Sequence, residues 1–374
     1  MSQYNFGNLT SPTPGTVLVD THLEPWRDAL HTMHSGSSRP SYAVAGMMWL
    51  DTTTTPWVVK MFDGSDDISL GTVNAATNLF AAANAASSAN PTLTGTITGS
   101  AAPKINNFRL TLTPNVPVTT SDVTGASTLY LTPYNGNQIA LYNGTTWELL
   151  TTAQVSLALS GLTSGRPYDV FAWNNAGTVT LETLVWTNDT TRATALAYQD
   201  GVLVRSGSTT RRYLGTFYST GTTTTEDSAA NRYLWNYYHR AKRPMTVFDA
   251  TASWTYSTLA WRQANGSTAN QMNFVIGVSE DAVFASLMTS FSNSTATVRT
   301  VFNTIQLDGT NGATGFTFAG SGQTGTSLYN ITNIGEGIVS AGRHFLAWLE
   351  YGAGVDTQTW HGGNARGIMG SLFA

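Results

Sequence analysis

Two spacings of apolar residues run along this chain, and the shorter one dominates. A period of two marks strands; a period near 3.6 marks a helix facing a core. The helical spacing occurs over residues 21–34, where Leu23, Trp26, Leu30 and Met33 fall on one stripe. Thr21 and Glu24 have capping-box spacing, while Pro25 favours a start near Glu24. It recurs over 227–242, where acids open the segment, Arg240, Lys242 and Arg243 close it and Pro244 stops it. Between them, residues 75–89 (AATNLFAAANAASSA) read as a short helix with tiny side chains on every face. Alone it would be marginal, whereas three copies about an axis would pack closely.

Elsewhere the pattern is β. Residues 45–50, 57–62 and 68–72 form strands, the last two joined by a turn at Asp63-Gly64. Asn90-Pro91 stops the alanine run. Thr92, Thr94, Thr96 and Thr98 then alternate with Leu93, Gly95, Ile97 and Gly99. Over 107–218 the strongest signal is the hairpin QIALY–NG–WELL, with Asn143-Gly144 at its turn, and Asp200-Gly201 marks another. FDGSDDISL from Phe62 aligns with YNGTTWELL from Tyr142, a single echo with no sustained period, so a parallel β-helix is disfavoured. Residues 245–374 carry roughly eight short strands at the spacing of an antiparallel sandwich.

Composition sharpens this picture. Charged residues are 11% of the 374, under half the usual quarter, and aromatic residues are another 11%. Low charge with many aromatics argues against disorder. A net charge of −4 gives no electrostatic footprint for nucleic acid. There is no cysteine, hence no disulfide or thiolate metal site. No apolar run approaches the ~20 residues of a membrane span, and the first residues lack the pattern of a signal peptide. The expectation is a chain made in the cytoplasm, without membrane insertion.

The stretch ANPTLTGTITG (89–99) resembles the segments at which tailed-bacteriophage fibre proteins pass from shoulder to shaft. Residues 41–74 look like a small module near the N-terminus of many phage fibre and minor tail proteins. STLYLTPYNGNQIALYNGTTWELL and the segments up to TTRRYLGTFYST resemble a module that recurs in phage structural proteins. The resemblance covers most of residues 1–220. It implies a mainly β, multidomain, elongated fibre: an N-terminal α+β virion-attachment module (1–74), an Ala-rich helical neck and linker (75–106), a β midsection (107–221), a linker helix (222–244) and a C-terminal antiparallel, jelly-roll-like sandwich (245–374). It further implies a homotrimer in the virion, anchored to other virion proteins and presenting its C-terminal domain to a host glycan or protein. A head-fibre, collar or decoration protein without receptor function is the structural alternative.

Candidate chemistry is sparse. Aromatic faces stack on sugar rings. Trp360 and His361, before Gly362-Gly363 in an expected loop, are the foremost receptor-binding candidates, with Trp261 and Tyr351 beside them. Trp26, Trp49, Trp57, Leu79 and Phe80 are candidates for attachment or oligomerisation. Asp28, His31 and His34 have helical metal-ligand spacing but read as a polar helix face, so no metal is expected. Gly320 to Gly325 spells G-x-G-x-x-G, yet a β-like segment follows where a helix must open; it reads as a loop, and no cofactor is expected. Polysaccharide hydrolysis needs two carboxylates across a cleft. Asp249, Glu280, Asp281, Glu350 and Asp356 are available, but among 22 acids in 374 residues pairings arise by chance, and the chain is not expected to be an enzyme.

Overall fold

The computed structural model describes residues 34–83, 104–312, 316–317, 319–363 and 366–374. The chain forms two compact units, Met1–Gly95 and Thr96–Ala374. Among the described residues the structure is mainly β, with one 3-10 turn at Ala264–Gly266.

In the smaller unit five strands follow one another across a sheet: Ser35–Gly36, Met48–Asp51, Trp57–Phe62, Asp67–Asn74 and Leu79–Ala82. The Asp63 carboxylate accepts the N–H groups of Ser65 (2.8 Å) and Asp66 (2.7 Å), and Gly64 takes φ +110°. Trp49 and Val59 are the buried apolar side chains of this sheet. The helix expected over 21–34 lies outside the described residues, except His34, whose Nδ1 meets the Tyr42 hydroxyl at 3.0 Å. The helical neck is not seen in the part described. Asn74 Oδ1 accepts the N–H groups of Ala76 and Thr77, Asn78 turns at φ 55°, and Leu79–Ala82 pairs with Asp67–Asn74. Small side chains oppose neither conformation, and an available strand edge satisfies the backbone better than an isolated helix does.

The larger unit is built on two cores. One lies between an eight-stranded and a six-stranded sheet. Phe274, Ile305 and Trp348 enter it from the first; Val283, Leu287, Phe291, Trp360 and Ile368 enter from the second. The other packs Phe108, Leu110, Leu129, Leu131, Ile139 and Leu141 against Val170, Leu214 and Phe217. The sheet containing Pro167–Asn175 and Ser208–Tyr218 stands between them. Strand alternation sends Val170, Ala172 and Leu214 into the second core and Phe171 and Tyr213 into the first. Residues 107–221 and 245–374 therefore share a core.

The helix expected over 227–242 is replaced by strands: Thr225–Asp227, Asn231–Arg232 and Leu234–Asn236. Tyr233, Leu234, Trp235 and Asn236 are all buried, with Leu234 in one core and Trp235 in the other. A surface helix has one apolar stripe and cannot bury four successive residues. Asn236 acts as a substitute backbone, its amide donating to Leu110 O (3.1 Å) and accepting from Leu110 N (2.6 Å). Of the three cations read as a helix ending, two pair with acids instead, Arg243 with Asp227, which Arg232 also holds, and Arg240 with Glu280 and Asp281.

Both hairpins of the midsection form where their turns predicted them. Gln138–Tyr142 pairs with Trp147–Thr151, and Leu196–Gln199 with Val202–Arg205 across Asp200 (φ 49°) and Gly201 (φ 83°). Beyond 245, Ala282–Asn293 forms a strand that the sandwich pattern did not include, the longest among the described residues at 12 residues. Gly320–Thr324 is a strand, not a loop. A Cβ at Gly322 would lie 2.8 Å from the rings of Phe291 and Tyr329, so this glycine serves packing.

Candidate functional site

The sequence-predicted residues scatter. Trp360 lies in the Gln358–His361 strand, pairs with Trp254 on one side and Phe291 on the other, and is 0% exposed. Its indole N–H donates to Tyr256 O at 3.0 Å, so no ligand can reach the ring. The glycines that suggested a loop begin only after this strand has crossed the core. His361 is half-buried, and burial, then the Arg366 charge, lower its pKa. Trp261 and Tyr351 are brought together as a direct cross-strand pair, ring centroids 5.1 Å apart and both half-buried. In the smaller unit Trp49 is core, Trp57 is half-buried, and Leu79 and Phe80 are 65% and 60% exposed on the last strand. Trp26 lies outside the described residues.

The five candidate carboxylates are engaged in the fold. Glu350 is wholly buried; its oxygens accept from Trp254 Nε1 (2.7 Å), Arg262 Nε (2.8 Å) and Asn265 N (3.2 Å). Burial pushes its pKa up to about 7, against the pull of Trp254 and Arg262. Asn265, at φ 56°, also donates through its amide to Asp249 Oδ2 (3.1 Å). This joins two carboxylates, but their oxygens face protein donors. Glu280 and Asp281 hold Arg240 at 2.6 Å each, and Asp356 holds Arg299 at 2.5 Å. These contacts do not form the sugar cleft that hydrolysis requires.

Two surfaces that the sequence did not single out have clearer geometry. The first is a groove of about 440 Å³. One wall is the loop after Trp186, closed by Thr187 N to Thr191 O (2.9 Å) and by Asn188 Oδ1 accepting from Thr190 N (3.0 Å). The Asp189 carbonyl accepts Arg343 N at 2.8 Å, an approach that needs Gly342, where a Cβ would lie 2.8 Å from that oxygen. The Leu196–Gln199 hairpin makes the other wall and lifts Tyr198 to 68% exposure. Leu196, Leu203 and Val278 add apolar lining. Arg192 also lines it; its Nε and Nη2 grip Asp169 at 2.7 and 3.3 Å, and its Nη1 makes no hydrogen bond within the described residues.

The second is the outer face of the six-stranded sheet. Inward residues of Ala282–Asn293 and Gly367–Phe373 fill the core, and the alternate residues face away. Register places Ile334, Ser286, Met369 and Thr246 in one row across four strands. The next rows hold Glu336, Phe284 and Ser371, then Thr332, Met288 and Phe248. Ile334 and Ile338 are 66% and 68% exposed, and Met369, Phe373 and Phe248 are exposed with them. The sheet ends here in Tyr329–Ile338, which among the described residues pairs with Ala282–Asn293 alone. Lys242 and Glu336 lie on this face without an ion pair within the described residues, and Arg366 reaches it too, its Nε donating to Ser290 Oγ.

No protein-family model matches the chain, and no curated protein matches it. Among solved structures it is similar to one of infectious bursal disease virus, Gx strain: 13% identity over 69% of this chain and 73% of that chain, with a TM-score of 0.23. The mosquito-larvicidal Cry4Aa toxin of Bacillus thuringiensis matches at 8% identity over 71% and 57%, with a TM-score of 0.19. An exo-beta-1,3-galactanase from Phanerochaete chrysosporium matches at 9% over 89% and 83%, with a TM-score of 0.14. TM-scores this low carry no argument about fold or function.

Proposed function

We propose that the chain is a structural, self-assembling component of a virion: a homotrimer of the tailed-phage fibre kind that its ANPTLTGTITG segment resembles. The observation that carries this reading is the apolar outer face of the six-stranded sheet. Its exposed Ile334, Ile338, Met369, Phe373 and Phe248 present roughly 500 Å², near the upper end of what a monomer leaves bare. A stable interface buries about 800 Å² per partner, so this face supplies most of the apolar centre that a second copy requires. Closed symmetry would also cover the edge of Tyr329–Ile338 that has no strand partner among the described residues. In this reading the smaller unit contacts other virion proteins, with Leu79 and Phe80 as exposed apolar contacts. The larger unit carries a jelly-roll-like sandwich to the host surface.

Native mass by light scattering tests the proposal. The expected mass is three times the chain's 40.0 kDa. A double substitution, Ile334→Asp with Ile338→Asp, should yield folded single chains with an unchanged circular dichroism spectrum. A wild-type chain that stays monomeric at micromolar concentration overturns the assembly.

A further inference from the structure

We propose that the groove between the 187–191 loop and the Leu196–Arg205 hairpin binds a neutral pyranose sugar, with the Tyr198 ring as its stacking platform. This deepens the host-facing role proposed above by naming a site and a ligand class, and its test does not depend on the trimer.

Four observations converge here. Tyr198 is a large aromatic residue held 68% exposed on a two-residue hairpin, in a cavity of about 440 Å³, a volume suited to a small ligand. Its cross-strand partner, Leu203, is buried and lines the same groove, so the aromatic residue stands on a rigid base. Polar groups also line the groove: the hydroxyl residues Thr190, Thr191 and Ser279, and Arg192 with its unused Nη1. A pyranose matches this mixture, because its C–H face is apolar and its rim carries hydroxyls.

Charge selects a neutral sugar. Arg192 is the single charged residue of the lining, and Asp169, 1% exposed, already neutralises it. An acidic sugar would find hydrogen-bond donors here but no net positive charge. Tyr198 is also separate from the core pairs, so removing its ring tests binding without opening a cavity.

The experiment is saturation-transfer NMR and calorimetry on the full chain with methyl glycosides of glucose, galactose and mannose, and with their oligosaccharides. At least one neutral pyranoside should bind in the millimolar range. Tyr198→Ala should weaken it about tenfold, as loss of an aromatic platform costs, while Tyr198→Phe stays within about twofold. The absence of any neutral ligand, or binding that Tyr198→Ala leaves unchanged, overturns the assignment. Preference for an acidic sugar overturns its neutral class. A monomer that still binds sugar would remove the trimer and leave this site standing; a trimer that binds none would do the reverse.

Discussion

At Asp63 and at Asn143 the chain turns by the same device. In each case a side-chain oxygen accepts the N–H groups two and three residues on, and the backbone N–H bonds the carbonyl three residues on at 3.0 Å. The following glycine adopts φ +110° at Gly64 and +108° at Gly144. The surroundings differ. In the smaller unit the turn serves a sheet whose buried apolar residues are Trp49 and Val59, supported by polar contacts: Lys60 on Asp51 at 2.8 Å and Trp49 Nε1 on Asp67 at 3.1 Å. In the larger unit the hairpin buries Ile139, Ala140, Leu141 and Trp147. Buried Arg212 clamps it through Ala140 O at 2.6 Å. A local turn sets register equally well in both places, but cooperativity comes from what the strands cover.

Core substitutions should separate the units most strongly. Trp348→Ala, at a fully buried position, should cost about 3–5 kcal/mol. Residue-resolved amide exchange should then show residues 104–221 and 245–374 losing protection together, while residues 34–83 keep theirs. Continued protection of 104–221 would break the shared-core account.

The units should also respond to pH with opposite signs. Glu350 keeps its proton to about pH 7 in the folded chain but releases it near 4.5 when unfolded. Its contribution therefore falls as pH rises from 4.5 to 7, by about 3 kcal/mol, and levels above 7. Asp51 is held at about 2, first by hydrogen bonds from Lys60 and Thr53, below its ordinary 3.8. It stabilises the smaller unit above pH 4, and that stability is lost as pH falls toward 2. Amide protection against pH should show both slopes, with Glu350→Gln flattening the first and Asp51→Asn the second.

The smallest effect sharpens the comparison. Gly64→Ala and Gly144→Ala each force a side chain into positive φ and should each cost about 1 kcal/mol. Equal costs in denaturant titrations would show that the turn is autonomous; a larger cost at Gly144 would couple it to the core.

Much of the local structure was legible in the sequence. Asp63-Gly64, Asn143-Gly144 and Asp200-Gly201 name their turns because turn chemistry is a property of adjacent residues. The alternation that announced a β protein is likewise local. The misreadings were all tertiary. SAANRYLWNYYHRAKRP has the termini of a helix, but two cores meet at Leu234 and Trp235, and only strand alternation serves both. Ala282–Asn293 lacks a clean polar alternation because Phe284 and Met288 interrupt the serines on its outward side, while Thr289 sits on its inward side. Trp360 resembled a surface ligand group because two glycines follow it, yet its strand crosses the sandwich core.

What the sequence determined by itself was the kind of structure: strands, tight turns, low charge and no thiol chemistry, all consequences of composition and near-neighbour stereochemistry. The tertiary structure decided which side of each strand meets water. The apolar face of Ile334 and Met369 is created by register across four strands, and the Tyr198 groove joins residues near 190, 200, 278 and 341. Such surfaces depend on long-range pairing, which no local pattern encodes.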